Sequence, residues 1–502
     1  MADLSNIKHI VVLMLENRSF DNVFGYLRPW DEKLFEGLDH NPSPALTVNG
    51  IAPWTTKPGQ DCFRMPNPDP GEKYEDITQQ IFGTVPPGPS PTMGGFMANY
   101  ATQEDVTQKG VGNDIMHCFS RSELPSLTAL ADNYAVSDMW FASAPCQTWP
   151  NRFFVHTGTA DGYPNNTLEG APYQMQTIFN DLPDGVPWKI YFHDMPQSLL
   201  LTRLWPHVTN FQHMDQFYND AAAGNLPGYA FIEPQYYPVP AAPPNDLLLP
   251  NDMHPPHNVQ LGDALVARVY NAVRSSPNWT STLLIVTFDE HGGCYDHVVP
   301  PPAVPPGPSR VNDFAFDRYG VRVPTLVISP YTAAGTVLRA PPGSAPFDHT
   351  SIIRTVRTCF GISTPLSARE ACAPDVSAAL AAPFDPDHTP QSLKVPTPVI
   401  TDADRELAQS LAPNALQEAL HQFATAIDSL SRGLSIEEVL QELGKQHAAD
   451  GTPVSGSTLP DKAIDVGEQV RQSLHNILQR FGASAASSGS GGGEPDNVYR
   501  GQ

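Results

Sequence analysis

Two polar pairs stand where apolar runs end. Residues 283–288 read Leu-Leu-Ile-Val-Thr-Phe and lead into Asp289 and Glu290, followed by His291, Gly292 and Gly293. Near the start, residues 10–15 read Ile-Val-Val-Leu-Met-Leu and lead into Glu16 and Asn17. Carboxylate and amide oxygens are hard donors, and four from two segment ends suit one divalent cation: calcium, magnesium or manganese. The two glycines allow a sharp turn or a close backbone approach to a ligand. A polar segment end is also a common turn. Only a fold that joins the two pairs makes them a site.

A second constellation surrounds Thr148, in the run Cys146, Gln147, Thr148, Trp149, Pro150, Asn151, Arg152. Pro150 reads as the first-turn proline of a helix. Thr148 then sits at the helix N-terminus, where free N–H groups and the dipole favour an anion. A hydroxyl there, beside a cation, is placed to attack phosphorus, the metal stabilising its alkoxide. The bland alternative is an ordinary capping threonine.

Histidines form the third group: His117, His254 and His257 (both after Asp252), His291, and His297 after Asp296. Histidine can neutralise phosphoryl oxygens and give a leaving alkoxide its proton near neutral pH. The chain has 16 histidines, so each taken alone reads first as structural. Zinc at His254 and His257 is disfavoured, because no cysteine or third histidine lies at a fitting interval.

Both apolar runs are short, β-branched and bounded by turn residues, which predicts buried strands. Ligands of an open α/β sheet bind at the C-terminal strand ends, where the polar pairs stand. A helix is predicted at 261–273, strands at 281–288 and 322–329, and a helix at 350–360 with Ile352, Ile353 and Val356 on one face. Strands alternating with helices predict an α/β fold: a mostly parallel central sheet covered by helices on both faces. After Pro398 the pattern turns helical. Leu416, Leu420, Phe423, Ile427 and Leu430 make one narrow apolar stripe. Residues 435–438 read as a capping box, and 461–481 as a further helix. The expected organisation is a catalytic domain over 1–395, a helical region over 396–481 and a flexible Gly/Ser-rich tail over 482–502. The stripe either packs on the core or builds a homo-oligomer.

Proline is abundant, 53 of 502 residues, against a usual share of about 5%. It clusters at 68–91, 238–256 and 300–308, as long loops that would wall a pocket. The formal net charge of −24 argues against nucleic acid and anionic membrane surfaces as partners, while a local metal leaves phosphate substrates open. The six cysteines show no zinc-finger spacing and read as free thiols, with a Cys359–Cys372 bridge left open. Residues 1–8 are polar and no signal peptide or membrane span is read. A cytoplasmic start is the default expectation, and secretion follows if a leader was removed or another route is used.

At these motifs the chain resembles the phosphoesterases that include bacterial and plant non-specific phospholipases C and certain acid phosphatases, within the alkaline-phosphatase-like superfamily. The resemblance spans roughly residues 7–385. It is carried by 7–21, by 148–152 with 156–159, by 251–255, by 287–298 as the strongest stretch, and by 321–330 and 348–351. It implies hydrolysis of phosphate esters through a hydroxyl nucleophile and a phospho-enzyme. It implies one divalent cation held at Glu16, Asn17, Asp289, Glu290 and Thr148, with Thr148 as the nucleophile. His117 and His254 would touch the phosphoryl oxygens or leaving group, with His257 and His349 as further candidates. Asp296, His297 and Asn151 would orient these groups from behind. Where Cys294 stands many members have an aromatic residue, and where Trp149 stands, Gln or Asn. Trp149 is thus expected to shape the choice of leaving group.

The expected function is a metal-dependent phospholipase C acting on phospholipid phosphodiesters through a phospho-threonine. An acid phosphatase acting on monoesters is the alternative. A non-catalytic binding protein on a phosphatase fold is the rival of another class, and every ligand position being intact speaks against it. A sulfatase would need Cys/Ser-x-Pro-x-Arg, a spacing that residues 146–150 lack.

Overall fold

The computed structural model describes residues 4–481 except 30–33, 40–46, 58–59, 169, 242–245, 308–313, 386, 388, 399, 432–437 and 439–459. Its centre is an eight-stranded sheet. The strands are β1 (His9–Leu15), β2 (Ala135–Ser137), β3 (Trp188–Phe192), β4 (Phe211–His213), β5 (Tyr229–Glu233), β6 (Thr282–Phe288), β7 (Thr325–Ile328) and β8 (Thr336–Val337), in the spatial order β8-β2-β7-β6-β1-β5-β3-β4. Seven strands run one way. β7 alone runs against them, antiparallel to both β6 and β2. The sheet is therefore mixed but mostly parallel, as the alternation of elements predicts.

β1 and β6 are central neighbours, paired in parallel from His9 with Thr282 through Leu15 with Phe288. Every residue of β6 is buried, which explains a continuous apolar run rather than an alternating one. Parallel pairing with the last residues in register brings both polar pairs out at the same edge. The Asp289 amide donates to the Leu15 carbonyl at 3.1 Å, one step beyond the ladder.

The relevant helices are α1 (Phe20–Phe24), α2 (Pro125–Asn133), α3 (Thr148–Thr157), α4 (Val259–Ser275), α5 (Thr350–Phe360), α6 (Asp402–Ser410), α7 (Ala415–Ser431) and α8 (Ala463–Phe481). α2 packs on α4, and α3 on α5, giving one helical layer on each face of the sheet. α5 buries Ile352, Ile353 and Val356, the face its spacing predicts. α3 starts at Thr148, so Pro150 lies in its first turn and all ten of its residues are buried.

α7 and α8 pack against each other, and α8 reaches the loop after β5. Leu416, Leu420, Phe423 and Ile427 are buried within the same apolar cluster as the sheet. The stripe is thus covered within one chain. The capping box at 435–438 and the tail at 482–502 lie outside the described residues, Glu438 excepted, as does the side chain of Leu430. All six cysteines are free thiols. Among the described residues no helix is long and apolar enough to cross a membrane.

Candidate active site

The two polar pairs close on each other. Asn17 N–H donates to Asp289 Oδ1 at 2.9 Å, and Glu290 N–H donates to the same oxygen at 2.8 Å. Gly292 N–H donates to Glu290 Oε2 at 2.8 Å. Each carboxylate is thereby pinned through one oxygen by backbone, and the other is left free. Asn17 itself has φ 56, a left-handed conformation that asparagine tolerates better than most residues. Gly292 has φ 61, and a Cβ there would lie 2.3 Å from the Asn17 carbonyl oxygen. The His-Gly-Gly turn is therefore needed for the strand ends to meet.

α3 delivers Thr148 and Arg152 to the same place, since residues four apart share a helix face. The Thr148 hydroxyl lies 3.4 Å from Glu16 Oε2. Arg152 contacts the other oxygen, Oε1, through Nε at 3.0 Å and Nη2 at 2.5 Å, and Gln197 Nε2 donates to it at 2.9 Å. Asn151 fixes the turn before the helix: its Nδ2 donates to the carbonyls of Ala144, Cys146 and Gln147, and its Oδ1 accepts from Ala144 N–H.

A loop at 66–73 supplies two further carboxylates. Asn17 Nδ2 donates to Glu72 Oε1 at 2.5 Å. Asp69 and Glu72 both approach His254, at 3.6 and 3.3 Å. The His254 segment is anchored by Glu16 N–H donating to the Asp252 carbonyl and by Arg18 Nε donating to the Met253 carbonyl. His257 Nδ1 lies 2.7 Å from Asp252 Oδ1, which fixes the N–H on Nδ1 and leaves Nε2 as the working nitrogen. The Asp69 side chain is 27% exposed while Glu16, Thr148, Asp289 and Glu290 are buried, so the pocket opens on the Asp69 side.

Burial raises the carboxyls of Glu16, Asp69, Glu72 and Glu290 well above the usual carboxylate range. Arg152 opposes this at Glu16, while neighbouring carboxylates reinforce it at all four. Asn17 Oδ1, Asp289 Oδ2 and Glu290 Oε1 are buried oxygens without a hydrogen-bond partner. Buried polar atoms are nearly always satisfied. Three orphan oxygens among crowded carboxylates are the kind of donor a divalent cation takes.

Other expected residues lie further out. His349 Nε2 donates to the Asp289 carbonyl at 2.5 Å, with Trp140 on its other nitrogen, and so steadies the turn. His297 and Asp296 do not touch the carboxylate group. They join Asp21, Glu36 and Arg322 in a separate buried network, in which Arg322 bonds both Asp21 and Asp296. His117 packs against Trp54 and Phe119 with Nε2 2.8 Å from Thr56 Oγ1, and burial lowers its pKa to about 3. Among the described residues no hydrogen bond joins His117 to the acidic group. Trp149 is buried in the main apolar core. Sequence reasoning missed Asp69 and Glu72, hidden in a proline-rich loop, together with Gln197 and Arg152. Only Arg152 carried a signal, its four-residue spacing from Thr148.

The sequence profile of the Phosphoesterase family matches residues 7–363. Non-specific phospholipase C4 of Arabidopsis thaliana is 34% identical over 461 residues, 88% of this chain and 83% of that protein. Non-specific phospholipase C1 of the same plant is 37% identical over 384 residues, 73% of this chain and 69% of that one. Phospholipase C A of Mycobacterium tuberculosis is 30% identical over 438 residues, 78% and 81% of the two chains. Among solved structures, the lipoteichoic acid synthase LtaP from Listeria monocytogenes overlaps over 74% of this chain and 76% of that one, at 13% identity and a TM-score of 0.33. With this family match and these relatives, the chain belongs to the phosphoesterase family and is a phosphoric ester hydrolase.

Proposed function

We propose that the protein is a phospholipase C that cleaves phospholipid phosphodiesters, with Thr148 as nucleophile. The observation that carries this reading is the Thr148 hydroxyl at a helix N-terminus, 3.4 Å from Glu16 Oε2 and beside the orphan oxygens of Asn17, Asp289 and Glu290. Those four residues would hold the divalent cation, and Thr148 would touch it. Bound there, the cation would lower the pKa of the Thr148 hydroxyl and neutralise charge on the phosphoryl oxygens.

The chain's own groups supply the rest. At the start of α3 the Trp149 N–H is taken by Asn166 Oδ1 and Pro150 has none, so the helix dipole and the Thr148 N–H are what favour the phosphoryl charge. Arg152 holds Glu16 so that Oε2 stays turned to Thr148. Thr148 Oγ passes its proton to Glu16 Oε2 and forms the bond to phosphorus as the bond to the diacylglycerol oxygen breaks. His257 Nε2, oriented by Asp252, gives that oxygen its proton; His254 lines the same side. In the second step His257 takes a proton from water, the water oxygen bonds phosphorus, and Thr148 Oγ departs with the proton that Glu16 returns. The names of the relatives favour a diester over a monoester substrate.

The test is Thr148→Ala. It should fold normally, and turnover should fall by about 10³-fold or more. Intact mass of the wild-type protein, quenched during turnover, should show a phosphoryl adduct on Thr148 that the variant lacks. Unchanged turnover would end the nucleophile assignment. Comparing p-nitrophenyl phosphorylcholine with p-nitrophenyl phosphate separates the phospholipase from the monoesterase reading.

A further inference from the structure

The mechanism above uses one cation and leaves the loop carboxylates Asp69 and Glu72 unexplained. They are not paired with any lysine or arginine among the described residues. Asp69 Oδ1 is buried without a hydrogen-bond partner, and so is His254 Nε2 on a side chain that is 0% exposed. The other histidine nitrogen is committed, since His254 Nδ1 donates to the Pro255 carbonyl at 2.6 Å. That leaves Nε2 as a bare lone pair, 3.3 Å from Glu72 Oε1. Glu72 Oε1 also takes the Asn17 Nδ2–H, and Asp69 Oδ1 lies 3.6 Å from His254 Nδ1. One ligand atom from each of Asp69, Glu72 and His254 lies within 4.8 Å of the others.

We propose that Asp69, Glu72 and His254 hold a second divalent cation, of the zinc class, next to the first. A separation of 3.3 Å is what two ligands at about 2.1 Å from one ion, at a tetrahedral angle, would have. Imidazole and carboxylate are both zinc donors, and three protein ligands leave the fourth position of a tetrahedral ion open. A histidine whose second nitrogen donates to a backbone carbonyl is the usual form of a ligating imidazole, because the carbonyl fixes the tautomer and the ring plane. Asn17 joins the two sites: its Oδ1 is an orphan at the first, and its Nδ2 donates to Glu72 at the second. The partly exposed Asp69 gives an ion and substrate an entrance.

The cluster of Asp21, Asp296 and His297 brings acidic and imidazole groups equally close, but Arg322 bonds both carboxylates and none of the three residues has an orphan atom. The contrast separates an ion site from an internal salt-bridge network. The proposal deepens the reading of His254 and rests on the phosphoesterase site for its setting, but not on Thr148 as nucleophile.

The test counts metal. The full-length protein, stripped with chelator and loaded with manganese and zinc together, is dialysed and its total divalent metal per chain measured by mass spectrometry. Two equivalents are expected in the wild type, one in the Asp69→Asn/Glu72→Gln double variant, and one in Asp289→Asn/Glu290→Gln. The count is taken without substrate or turnover, so a failed nucleophile assignment leaves it untouched. One equivalent in the wild type would overturn the proposal, as would two retained in the Asp69/Glu72 variant. The wild-type count decides even if a variant does not fold.

Discussion

Arg152 and Glu16 grip each other across two elements, the guanidinium setting Nε and Nη2 at 3.0 and 2.5 Å from one carboxylate oxygen. The same oxygen takes Gln197, so Glu16 has one face spent on position and one face left for Thr148. Arg152→Met should leave Glu16 buried and unpaired. Removing one partner of a buried pair costs about 3–5 kcal/mol. A bound divalent cation would restore much of that, so the loss in urea stability should be clearly smaller with metal than with chelator. An equal loss in both conditions would show that Glu16 does not face a cation. Arg152→Lys should rescue poorly, because an ammonium cannot make the paired contact.

His257 is oriented by Asp252 and offers Nε2 on the pocket side. As the proton donor to the leaving oxygen it matters only where that oxygen is basic. His257→Asn should therefore slow cleavage of a diacylglycerol leaving group by about 10²–10⁴-fold. With p-nitrophenol, which leaves unaided, the loss should be under about tenfold. Equal losses on both substrates would remove the acid role.

How far the site was legible depends on which contacts are local. The strand ends carrying Glu16 and Asp289 were readable because a fully buried strand is an unbroken apolar run. Their adjacency was not, since parallel strands pair through long crossovers that leave no trace in either segment. The reversed β7 was invisible for the same reason. Thr148 was readable from Pro150, two residues into the helix. Arg152 was within reach, one turn further on. Asp69 and Glu72 were beyond it: a proline-rich loop gives no periodicity to say which side chains turn inward. His297 drew attention by following the His291–Gly293 turn, yet the chain carries it away to Asp21 and Glu36.

Gly292 tests the turn itself. Both its φ of 61 and the 2.3 Å that would separate a Cβ from the Asn17 carbonyl exclude a side chain. Gly292→Ala should destabilise by about 1–3 kcal/mol and weaken cation binding, because Asn17 must shift. Gly50→Ala is the control, with φ 78 and nothing within 4 Å. It should lose only the backbone part, about 1–2 kcal/mol, and bind metal as the wild type does. Calorimetric titration of both variants with one cation checks this. Wild-type affinity in Gly292→Ala would mean that the turn does not set the ligand geometry.

His297 predicts how stability follows pH. Burial alone would lower its pKa, but the Asp21 and Glu36 carboxylates outweigh burial and raise it to about 9. In the unfolded chain it titrates near 6.5, at roughly the value of free histidine. Between those values the folded protein holds a proton that the unfolded chain has lost. Its stabilisation is then complete below about pH 6.5 and disappears as pH rises through about 9. The swing is on the order of 3 kcal/mol. Urea unfolding of the wild type and His297→Gln from pH 6 to pH 10 should show a gap that is wide at pH 6 and narrow at pH 10. A gap that does not change with pH would mean that His297 is neutral in the folded protein and that Asp21 is balanced by Arg322 alone.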